Sequence, residues 1–547
     1  MERELKGDKY LGYLLVISGS IFIFVFLRWL FSFGVDDSYI FYRYAENIAN
    51  GHGFVFNWGE QAGEGFTSWT WTLLLAGIYK LGINIVVGSK IMGILFHLAS
   101  GLLVYKISKI LVNWVGKEGE TNENSWFGTV AAMFVTMAFL GDYRLLAHSV
   151  SGMETALYVF SILLPVFIGV KGLSEKELNP RYWLYGGLAT TWVFFVRPEG
   201  LAVGGLCLLA LALGNLRDLL KWKTWFYLGA SVVLPVVFFV GMKMMVFGYP
   251  LPQSFYHKFI VRGREYGESA RQIVSFLKSY IWLVLPVLPV LWFVGIRRKN
   301  GRIWLFPVLF LGMVSIYLLF YPVMNYLFRF YIPYISLLWI LVGIGVYLVL
   351  NWMKKRGMGI GLRVVLIVIF ALLWGILNLG TGNAQKTIDS WTPMVNRDAY
   401  RARLGVIMKD LPKEVVVANS EMGVIPYYSG LTCLDMAGLT DPYMAHHGMS
   451  MDYLMKRGTS LILFPRDVMK IKDKDWNSFG LNYKSIFKSE KFLQDFELLG
   501  AFNAWPKSNT KYYIYVDRTS KLIVEIAKWR NRYAQELNYD GHERGEN

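Results

Sequence analysis

The sequence predicts a polytopic α-helical membrane protein that carries a C-terminal α/β domain. Three observations predict this class: an apolar composition, a series of long apolar runs, and a change of pattern near residue 383. Of the 547 residues, 54% are hydrophobic and 16% are aromatic, and the mean hydropathy is +0.37. These values are typical of membrane proteins with many spans and exceed what a soluble enzyme shows.

The apolar runs predict roughly eleven transmembrane helices, because each is close to the length that crosses a bilayer. The first run lacks a small-residue cleavage site, so we expect a retained anchor and not a cleaved signal peptide. The runs cover residues 10–32, 86–105, 125–141, 154–170, 182–196, 199–214, 224–247, 276–296, 303–321, 331–350 and 362–382.

The positions of lysine and arginine predict which side of the membrane each loop faces. Basic loops follow alternate spans, and they all fall on the cytoplasmic side if residues 67–82 do not cross the membrane. We therefore predict a cytoplasmic N-terminus, a first outer loop over 33–85, and an interfacial helix over 67–82. Trp69 and Trp71 of that helix are expected at the level of the lipid headgroups.

The last part of the chain has a different pattern. Strands alternate with amphipathic helices over residues 383–547, which predicts a small extracytoplasmic α/β domain behind a membrane domain of residues 1–382. The strands are expected within EVVVANSEMGVIPYYSG, TSLILFP and TKYYIYVD, and the helices within MVNRDAYRARLGVIMKDL and KLIVEIAKWRNRYAQEL. Residues 538–547 are expected to form a disordered tail.

The net charge of +17 raises the question of nucleic-acid binding. It comes from 56 Lys and Arg residues against 39 Asp and Glu residues. Most basic clusters lie beside apolar runs, where they set the orientation of the spans. A nucleic-acid partner, which requires a soluble basic surface, is therefore not predicted.

An acidic pair follows directly on the first apolar run, in FGVDDSYIFYRYAENIANGHGF. Asp36 and Asp37 stand where a span ends, and carboxylates there require water or a partner. Tyr39, Arg43 and Tyr44 follow at a spacing that predicts one shared helix face with the pair. The alternative is structural, with one of the two aspartates capping the helix.

Further polar residues flank the ends of later spans. Glu154 lies three residues after Ser151, which is also the spacing of a helix capping box. Arg197 and Glu199 suit either a phosphate site or a tight hairpin, and Arg329 suits a phosphate or a snorkelling side chain. The full set of outer polar candidates beyond the acidic pair is Glu64, Asp142, Glu154, Arg197, Glu199, Gln253, Tyr256, His257, Lys258 and Arg329.

Several stretches together resemble the GT-C superfamily of membrane glycosyltransferases that use polyprenyl-phosphate sugars. The most similar family is the actinobacterial terminal β-(1→2) arabinofuranosyltransferases with their bacterial relatives. The stretches that carry the resemblance are DDSYIFYRYAENIANGHGFVFNWGE, SGMETAL, RPEG, FGYPLPQSFYHK and YYSGLTCLDMAGLTDP. The resemblance implies transfer of a sugar to a cell-envelope glycan or glycolipid at the outer face of the bacterial inner membrane. Arabinofuranose is one candidate sugar among several pentoses and hexoses.

The resemblance assigns Asp36 as the catalytic base, with Asp37 orienting the acceptor or sharing that role. Arg197, Lys258 and Arg329, with His257, are expected to bind the donor phosphate. The remaining candidates are expected to bind substrate: Tyr39, Arg43, Tyr44, Glu64, Asp142, Glu154, Glu199, Gln253 and Tyr256. A divalent cation on Asp36, Asp37 or Asp142 is a further option, since oxygen ligands spread over loops have no recognisable spacing.

The chemistry of the donor fits one carboxylate base. A polyprenyl phosphate leaves as a stable anion, so the reaction requires a base for the acceptor hydroxyl and cations around the phosphate. A single displacement then inverts the anomeric carbon. Two other classes stay open on the sequence alone: a transporter or flippase for a lipid-linked sugar, and a non-enzymatic membrane protein that binds polysaccharide.

Overall fold

The computed structural model describes most of the chain, and the account below is confined to those residues. They are 16–28, 30–115, 123–175, 177–256, 266–297, 301–319, 325–379, 398–465, 477–478, 481–505 and 510–537. The predicted tail over 538–547 lies outside them, as do His257 and Lys258.

Most of the described residues before residue 380 are helical. Each of the predicted apolar runs overlaps one of these helices. The helices are α1 (Val16–Arg28), α2 (Ser38–Ala49), α3 (Trp69–Lys80), α4 (Ile85–Val115), α5 (Glu123–Leu140), α6 (Tyr143–Val150), α7 (Thr155–Ser174), α8 (Arg181–Val196), α9 (Gly200–Gly214), α10 (Trp222–Leu228), α11 (Leu234–Phe247), α12 (Gln253–Tyr256), α13 (Tyr266–Ser279), α14 (Ile281–Val290), α15 (Leu305–Ser315), α16 (Ile335–Lys355) and α17 (Ile360–Leu379).

Among the described residues, five helical segments are long and apolar enough to cross a membrane singly. Two bent pairs raise that number to seven: residues 127–140 with 143–150, at 57°, and 267–279 with 281–297, at 72°. Shorter apolar helices accompany them at α1, α9 and α17. The chain is therefore a multi-pass membrane protein.

Small residues allow the central helices to approach closely. Helix α4 packs against α5, α6 and α7. A methyl group added at Gly93 of α4 would lie 2.1 Å from the carbonyl oxygen of Ser149, which the backbone of α6 could not accommodate. Close contact of this kind is what holds helices together where apolar burial alone gives no preference for protein over lipid.

The turn after α1 places the acidic pair. Lys90 Nζ of α4 donates hydrogen bonds to the carbonyl oxygens of Phe31 at 2.5 Å and Phe33 at 2.6 Å, which ends the first apolar segment. Helix α2 then begins at Ser38, and the preceding Asp37 makes no side-chain capping bond. The helix-cap alternative for the acidic pair is therefore wrong, because the side chains of both aspartates have partners elsewhere.

Helix α3 agrees with the predicted helix over 67–82 and is capped by the side chain of Ser68. The prediction for its tryptophans is wrong. Trp69 and Trp71 are buried within the protein, and Trp71 Nε1 donates to the carbonyl oxygen of Gly152 at 3.1 Å. Their indoles pack against protein and are unavailable to lipid headgroups.

The C-terminal α/β region (residues 398–537) contains a five-stranded mixed sheet. Its strand order is β2-β1-β3-β7-β6; β1 is parallel to β2 and β3, whereas β7 is antiparallel to β3 and β6. The strands are β1 (Val416–Asn419), β2 (Thr432–Asp435), β3 (Thr459–Phe464), β4 (Asn477–Ser478), β5 (Leu481–Asn482), β6 (Phe496–Trp505) and β7 (Thr510–Asp517). The helices are α18 (described over 398–408), α19 (Val424–Ser429), α20 (Pro442–His447), α21 (Met451–Lys456), α22 (Lys484–Phe487), α23 (Glu490–Asp495) and α24 (Ile523–Arg532).

Three of these strands, β1, β3 and β7, coincide with the strands predicted from the sequence. Helices α18 and α24 coincide with the predicted amphipathic helices. Strands β2 and β6 were not predicted. Strand β2, TCLD, has four residues, too few to show a period, and β6 contains glycine and asparagine that interrupt its apolar pattern.

Candidate active site

The two carboxylates of the acidic pair point to different parts of the protein. Asp37 Oδ2 lies 3.2 Å from Arg329 Nη1, at the start of the segment that leads into α16. Asp36 Oδ1 accepts a hydrogen bond from the backbone N–H of Val424 at 2.9 Å and lies 3.4 Å from Arg401 Nη1. One carboxylate therefore faces the membrane helices and the other faces the C-terminal α/β region.

Arg329 is buried, and an unusual backbone turn places it beside Asp37. Leu327 and Phe328 have φ angles of 50° and 59°, and both lie in the left-handed region that side chains seldom occupy. Such conformations cost about 1–3 kcal/mol each and concentrate at functional sites. The hydroxyl of Tyr326 accepts from Arg329 Nη1 at 3.1 Å, and Arg329 Nε has no hydrogen-bond partner among the described residues.

Arg144 is a second buried guanidinium near this turn, and no carboxylate of the described residues lies within ion-pair distance of it. Its guanidinium carbon is 4.7–5.5 Å from the ring centroids of Tyr143, Tyr280 and Phe328. The carboxylate of neighbouring Asp142 accepts hydrogen bonds from other groups. It caps α6 by accepting from the backbone N–H of Arg144, 3.0 Å away, and it accepts from the hydroxyl of Tyr280. Arg144 is therefore a buried cation held by aromatic faces.

Arg197 lies between two carboxylates. Its Nη1 is 2.7 Å from Glu154 and its Nε is 2.7 Å from Glu199, which also accepts from the hydroxyl of Tyr317 at 2.9 Å. Arg197 and both carboxylates thus have partners in the protein. The capping-box reading of Ser151 and Glu154 is wrong, because α7 begins at Thr155 and Glu154 makes no capping bond.

Glu64 forms a further buried ion pair, with Lys243 of α11. Its Oε2 is 2.7 Å from Lys243 Nζ, and its Oε1 accepts from Trp69 Nε1 at 2.6 Å. Burial raises the pKa of the Glu64 carboxyl, and the Lys243 ammonium opposes that rise. The carbonyl oxygen of Glu64 also accepts from the N–H of Gln253. The loop that contains Glu64 therefore makes polar contacts with α3, α11 and α12.

Arg43 and Tyr39 contact the C-terminal α/β region. The Arg43 guanidinium donates to the carbonyl oxygens of Phe56, Pro426 and Leu431 and to Asn57 Oδ1. The ring of Tyr39 packs edge-on against Tyr427, at 5.3 Å between centroids. Asp36 faces the same region, whereas Asp37 faces Arg329, so only the first aspartate lies on the side of Tyr39 and Arg43.

Two other substrate candidates lie away from the acidic pair. Tyr44 is fully buried, and its hydroxyl accepts from the N–H of Gly65 at 3.1 Å. Tyr256 packs against His446, with 4.6 Å between ring centroids, and against Tyr249.

A metal site does not assemble among the described residues. They include no group of three or more His, Cys, Asp or Glu side chains that could hold a metal ion. The capping bonds and the Tyr280 bond occupy Asp142, and Arg401 and Arg329 lie beside Asp36 and Asp37. Asp36, Asp37 and Asp142 therefore do not form a shared cation site in the described structure.

Three functional candidates of the structure were absent from the predicted set: Arg144, Lys243 and Arg401. Lys243 could have been found, because a single lysine inside the apolar run LPVVFFVGMKMMVFG is itself a functional signal. Arg144 stands in GDYRLL beside a predicted candidate. Arg401 had no signal, since it is one of several arginines on an amphipathic helix.

An apolar cavity of about 700 Å³ lies between α14, α16 and α17. Tryptophans line it along its length, and Asn351 and Lys355 stand near the end of α16. Trp282, at the other end, packs 6.0 Å from the ring of Tyr280, the residue that contacts both Asp142 and Arg144. One end of the cavity therefore lies beside the aromatic cradle of Arg144, which is formed by Tyr143, Tyr280 and Phe328.

Comparison with solved structures shows the same fold in ArnT from Cupriavidus metallidurans. The apo crystal structure aligns with a TM-score of 0.55 at 14% identity, covering 92% of this chain and 97% of that chain. The structure bound to undecaprenyl phosphate aligns with a TM-score of 0.57 at 13% identity, covering 93% and 98%. The predicted GT-C-like fold is therefore confirmed, and at this identity the likeness concerns the fold alone.

A family model described as "Domain of unknown function (DUF8728)" matches residues 390–521, within the C-terminal α/β region. No curated protein matches the sequence.

Proposed function

We propose that this protein is an inverting glycosyltransferase that uses a polyprenyl-phosphate sugar as donor. The acceptor is a cell-envelope glycan or glycolipid at the outer face of the bacterial inner membrane. The observation that carries the proposal is the divided acidic pair at the end of the first span. One carboxylate lies beside a buried cation of the membrane helices, and the other faces the α/β region.

Arg329 and Arg144 are the phosphate ligands in this proposal. Both are buried near the turn at Leu327 and Phe328. Aromatic rings surround Arg144, and the one carboxylate that influences its charge among the described residues, Asp142, is itself held by the cap of α6 and by Tyr280. A phosphate beside them would form charge-assisted hydrogen bonds in a site of low dielectric constant. Arg197 is a weaker ligand than the sequence predicted, because Glu154 and Glu199 already neutralise it. His257 and Lys258 remain phosphate candidates in the adjoining segment.

The lipid tail of the donor has a matching space. The apolar cavity begins at Trp282, next to Tyr280 and Arg144, and continues between α14, α16 and α17. A polyprenyl chain in this cavity would place its phosphate at the aromatic cradle. The ArnT structure of the same fold was obtained with undecaprenyl phosphate bound, which supports a donor of this lipid class.

Asp36 is the proposed base. The acceptor must approach from the side opposite the leaving phosphate, and Asp36 is the member of the pair that faces away from Arg329, toward the α/β region. Its Oδ1 takes both contacts, and Oδ2 accepts no hydrogen bond from the described residues. Oδ2 thus retains the capacity to accept the proton of an acceptor hydroxyl. Attack by that hydroxyl in a single displacement inverts the anomeric carbon.

Asp37 has a supporting role in this scheme, since it orients Arg329 next to the reacting centre. The α/β region lies on the outer side of the membrane and presents the glycan acceptor. Arabinofuranose is a candidate sugar because the family that the sequence resembles transfers it. Pentoses and hexoses are both retained in the experiment below.

The test uses the purified full-length protein in nanodiscs with polyprenyl-phosphate arabinofuranose, mannose and glucose and a bacterial envelope glycan. We expect one donor to give a glycoside of inverted configuration, detected by mass spectrometry and NMR. Asp36→Asn should lower kcat about 10²–10⁴-fold, the contribution of one positioned base, while donor binding persists. Asp452→Asn is the control, because that side chain is 89% exposed.

Two results would overturn the proposal. Full activity of Asp36→Asn would remove the base assignment. Movement of the lipid-linked sugar across a vesicle membrane, with no product from any donor, would favour the transporter class instead.

A further inference from the structure

Arg401 of helix α18 lies among three carboxylates: Asp398 of its own helix, Glu421 after β1, and Asp36 from the other end of the chain. Its Nη1 is 3.4 Å from Asp36 Oδ1 and 3.2 Å from Asp398 Oδ1, and its Nη2 contacts Glu421. Its Nε donates to the hydroxyl of Tyr512 in β7 at 2.7 Å. The guanidinium is buried, with 3% of its side chain exposed. One positive charge thus faces three negative ones inside the protein.

The arrangement keeps Arg401 charged. Burial disfavours the guanidinium ion, but Glu421, Asp36 and Asp398 outweigh it and raise the pKa of Arg401 further. A buried arginine of this kind holds its partners in fixed geometry, because its planar fork donates in set directions.

A second contact fixes the same carboxylate from the same region. The backbone N–H of Val424 donates to Asp36 Oδ1, and Val424 is the first residue of α19, whose N–H has no acceptor within its own helix. Gly423 makes the approach possible. A methyl group there would lie 2.1 Å from the carbonyl oxygen of Asp36 and 2.5 Å from its Oδ2.

We propose that the C-terminal α/β region completes the active site by inserting Arg401 as a positioning residue for Asp36. This rests on the proposed function, in which Asp36 is the base, and it adds a role for a region whose family has none assigned. Arg401 and the Val424 N–H both hold Asp36 through its Oδ1, so Oδ2 keeps its capacity to accept from the acceptor hydroxyl. The α/β region therefore contributes to the reaction as well as to acceptor binding.

A positioning role differs from simple attachment of the region. The groups around Asp36 are Asp37 with Arg329 on the membrane side, and Arg401, Asp398, Glu421 and Tyr512 on the other. Without the guanidinium, Asp36 Oδ1 loses one of its two contacts, while the other contacts between the α/β region and the membrane helices remain. A catalytic group displaced by about 1 Å can lower the rate about 10²-fold, so the loss is expected in kcat.

The experiment measures kcat and KM for the full-length protein, with the donor that the wild type accepts. Arg401→Gln is expected to lower kcat about 10- to 100-fold with little change in the KM for the donor. Arg401→Lys keeps the positive charge and should restore part of the lost rate.

Two matched controls should keep the wild-type kcat. Arg403→Gln alters the same helix at a side chain that is 61% exposed and paired with Glu536. Arg457→Gln removes another contact between the α/β region and the first loop, at Glu60, without touching the acidic pair. An unchanged kcat in Arg401→Gln would overturn the proposal, as would an equal loss of kcat in Arg457→Gln.

A readout independent of any donor tests the contact itself. Hydrogen exchange of the peptide that contains Val424 should accelerate in Arg401→Gln and stay as in the wild type in Arg403→Gln. Unchanged exchange in Arg401→Gln would also overturn the inference. Absence of product from the wild type would refute the proposed function alone, and the exchange of Val424 would then decide the contact.

Discussion

Adjacent residues of this protein acquire different environments because their side chains point to opposite sides of one turn. Asp37 meets Arg329 and Asp36 meets Arg401, two arginines that are 72 positions apart in the sequence and belong to different parts of the fold. Arg144 has a third kind of environment: three aromatic rings surround it, and the neighbouring Asp142 acts on its charge without a direct ion pair among the described contacts. A different set of groups balances the charge of each arginine. This difference distinguishes the arginines proposed to bind phosphate from the one that holds a carboxylate in place.

Arg144→Gln tests the residue that most directly offers its charge to a phosphate. A hydrogen bond to a charged group contributes about 1.5–3 kcal/mol, so the variant should bind undecaprenyl phosphate about 10- to 100-fold more weakly. Native mass spectrometry or tryptophan fluorescence measures the affinity, and the thermal unfolding temperature shows whether the variant is folded. Arg271→Gln is the control, because Arg271 is 77% exposed. Equal affinity of a folded Arg144→Gln would exclude Arg144 as a phosphate ligand.

At the scale of the elements, short loops hold the helix ends that form the site. The stretch SGMET joins α6 to α7, and its Gly152 has a φ of 81° and accepts from Trp71 Nε1 of α3. A methyl group at Gly152 would lie 2.2 Å from the hydroxyl of Tyr42 in α2. Glycine at this position therefore lets three elements meet behind the acidic pair.

Gly152→Ala is expected to destabilise the protein by at least about 2 kcal/mol, because left-handed backbone strain alone costs about 1–3 kcal/mol and the contact with Tyr42 adds to it. Thermal unfolding in detergent measures the effect. Gly205→Ala in α9 is the matched change, since nothing lies within 4 Å of its added methyl group and alanine favours the helix by about 1 kcal/mol. A Gly152→Ala protein as stable as Gly205→Ala would contradict this account.

At the scale of the whole molecule, the segment between α2 and α3 joins the membrane helices to the C-terminal α/β region. Asn57 exchanges hydrogen bonds with the backbone of Cys433 in β2, at 2.8 and 3.0 Å. Arg43 donates to carbonyl groups on both sides of this interface. The contacts at Asp36 therefore belong to a larger interface that fixes the α/β region above the acidic pair.

Arg43→Gln should weaken that interface. Glutamine cannot replace the bonds to Phe56, Pro426, Asn57 and Leu431, and each buried carbonyl left without a donor costs about 1–3 kcal/mol. We expect a lower unfolding temperature and faster hydrogen exchange in β2. Arg403→Gln, on an exposed pair, should change stability by less than about 0.5 kcal/mol. Wild-type exchange in β2 of Arg43→Gln would show that the interface does not depend on this residue.

The sequence alone determined most of the helices, three strands of the sheet and the place of the acidic pair. Apolar runs and amphipathic periods located these elements, with Asp36 and Asp37 just after the first apolar run, because burial and helix or strand geometry constrain the residue types at neighbouring positions. The sequence did not determine which charged side chains contact one another. Arg401 reaches Asp36 over more than 360 positions, and Lys243 reaches Glu64 from inside a span. Which charges meet depends on how the elements pack, and packing is a long-range property that local periodicity does not encode.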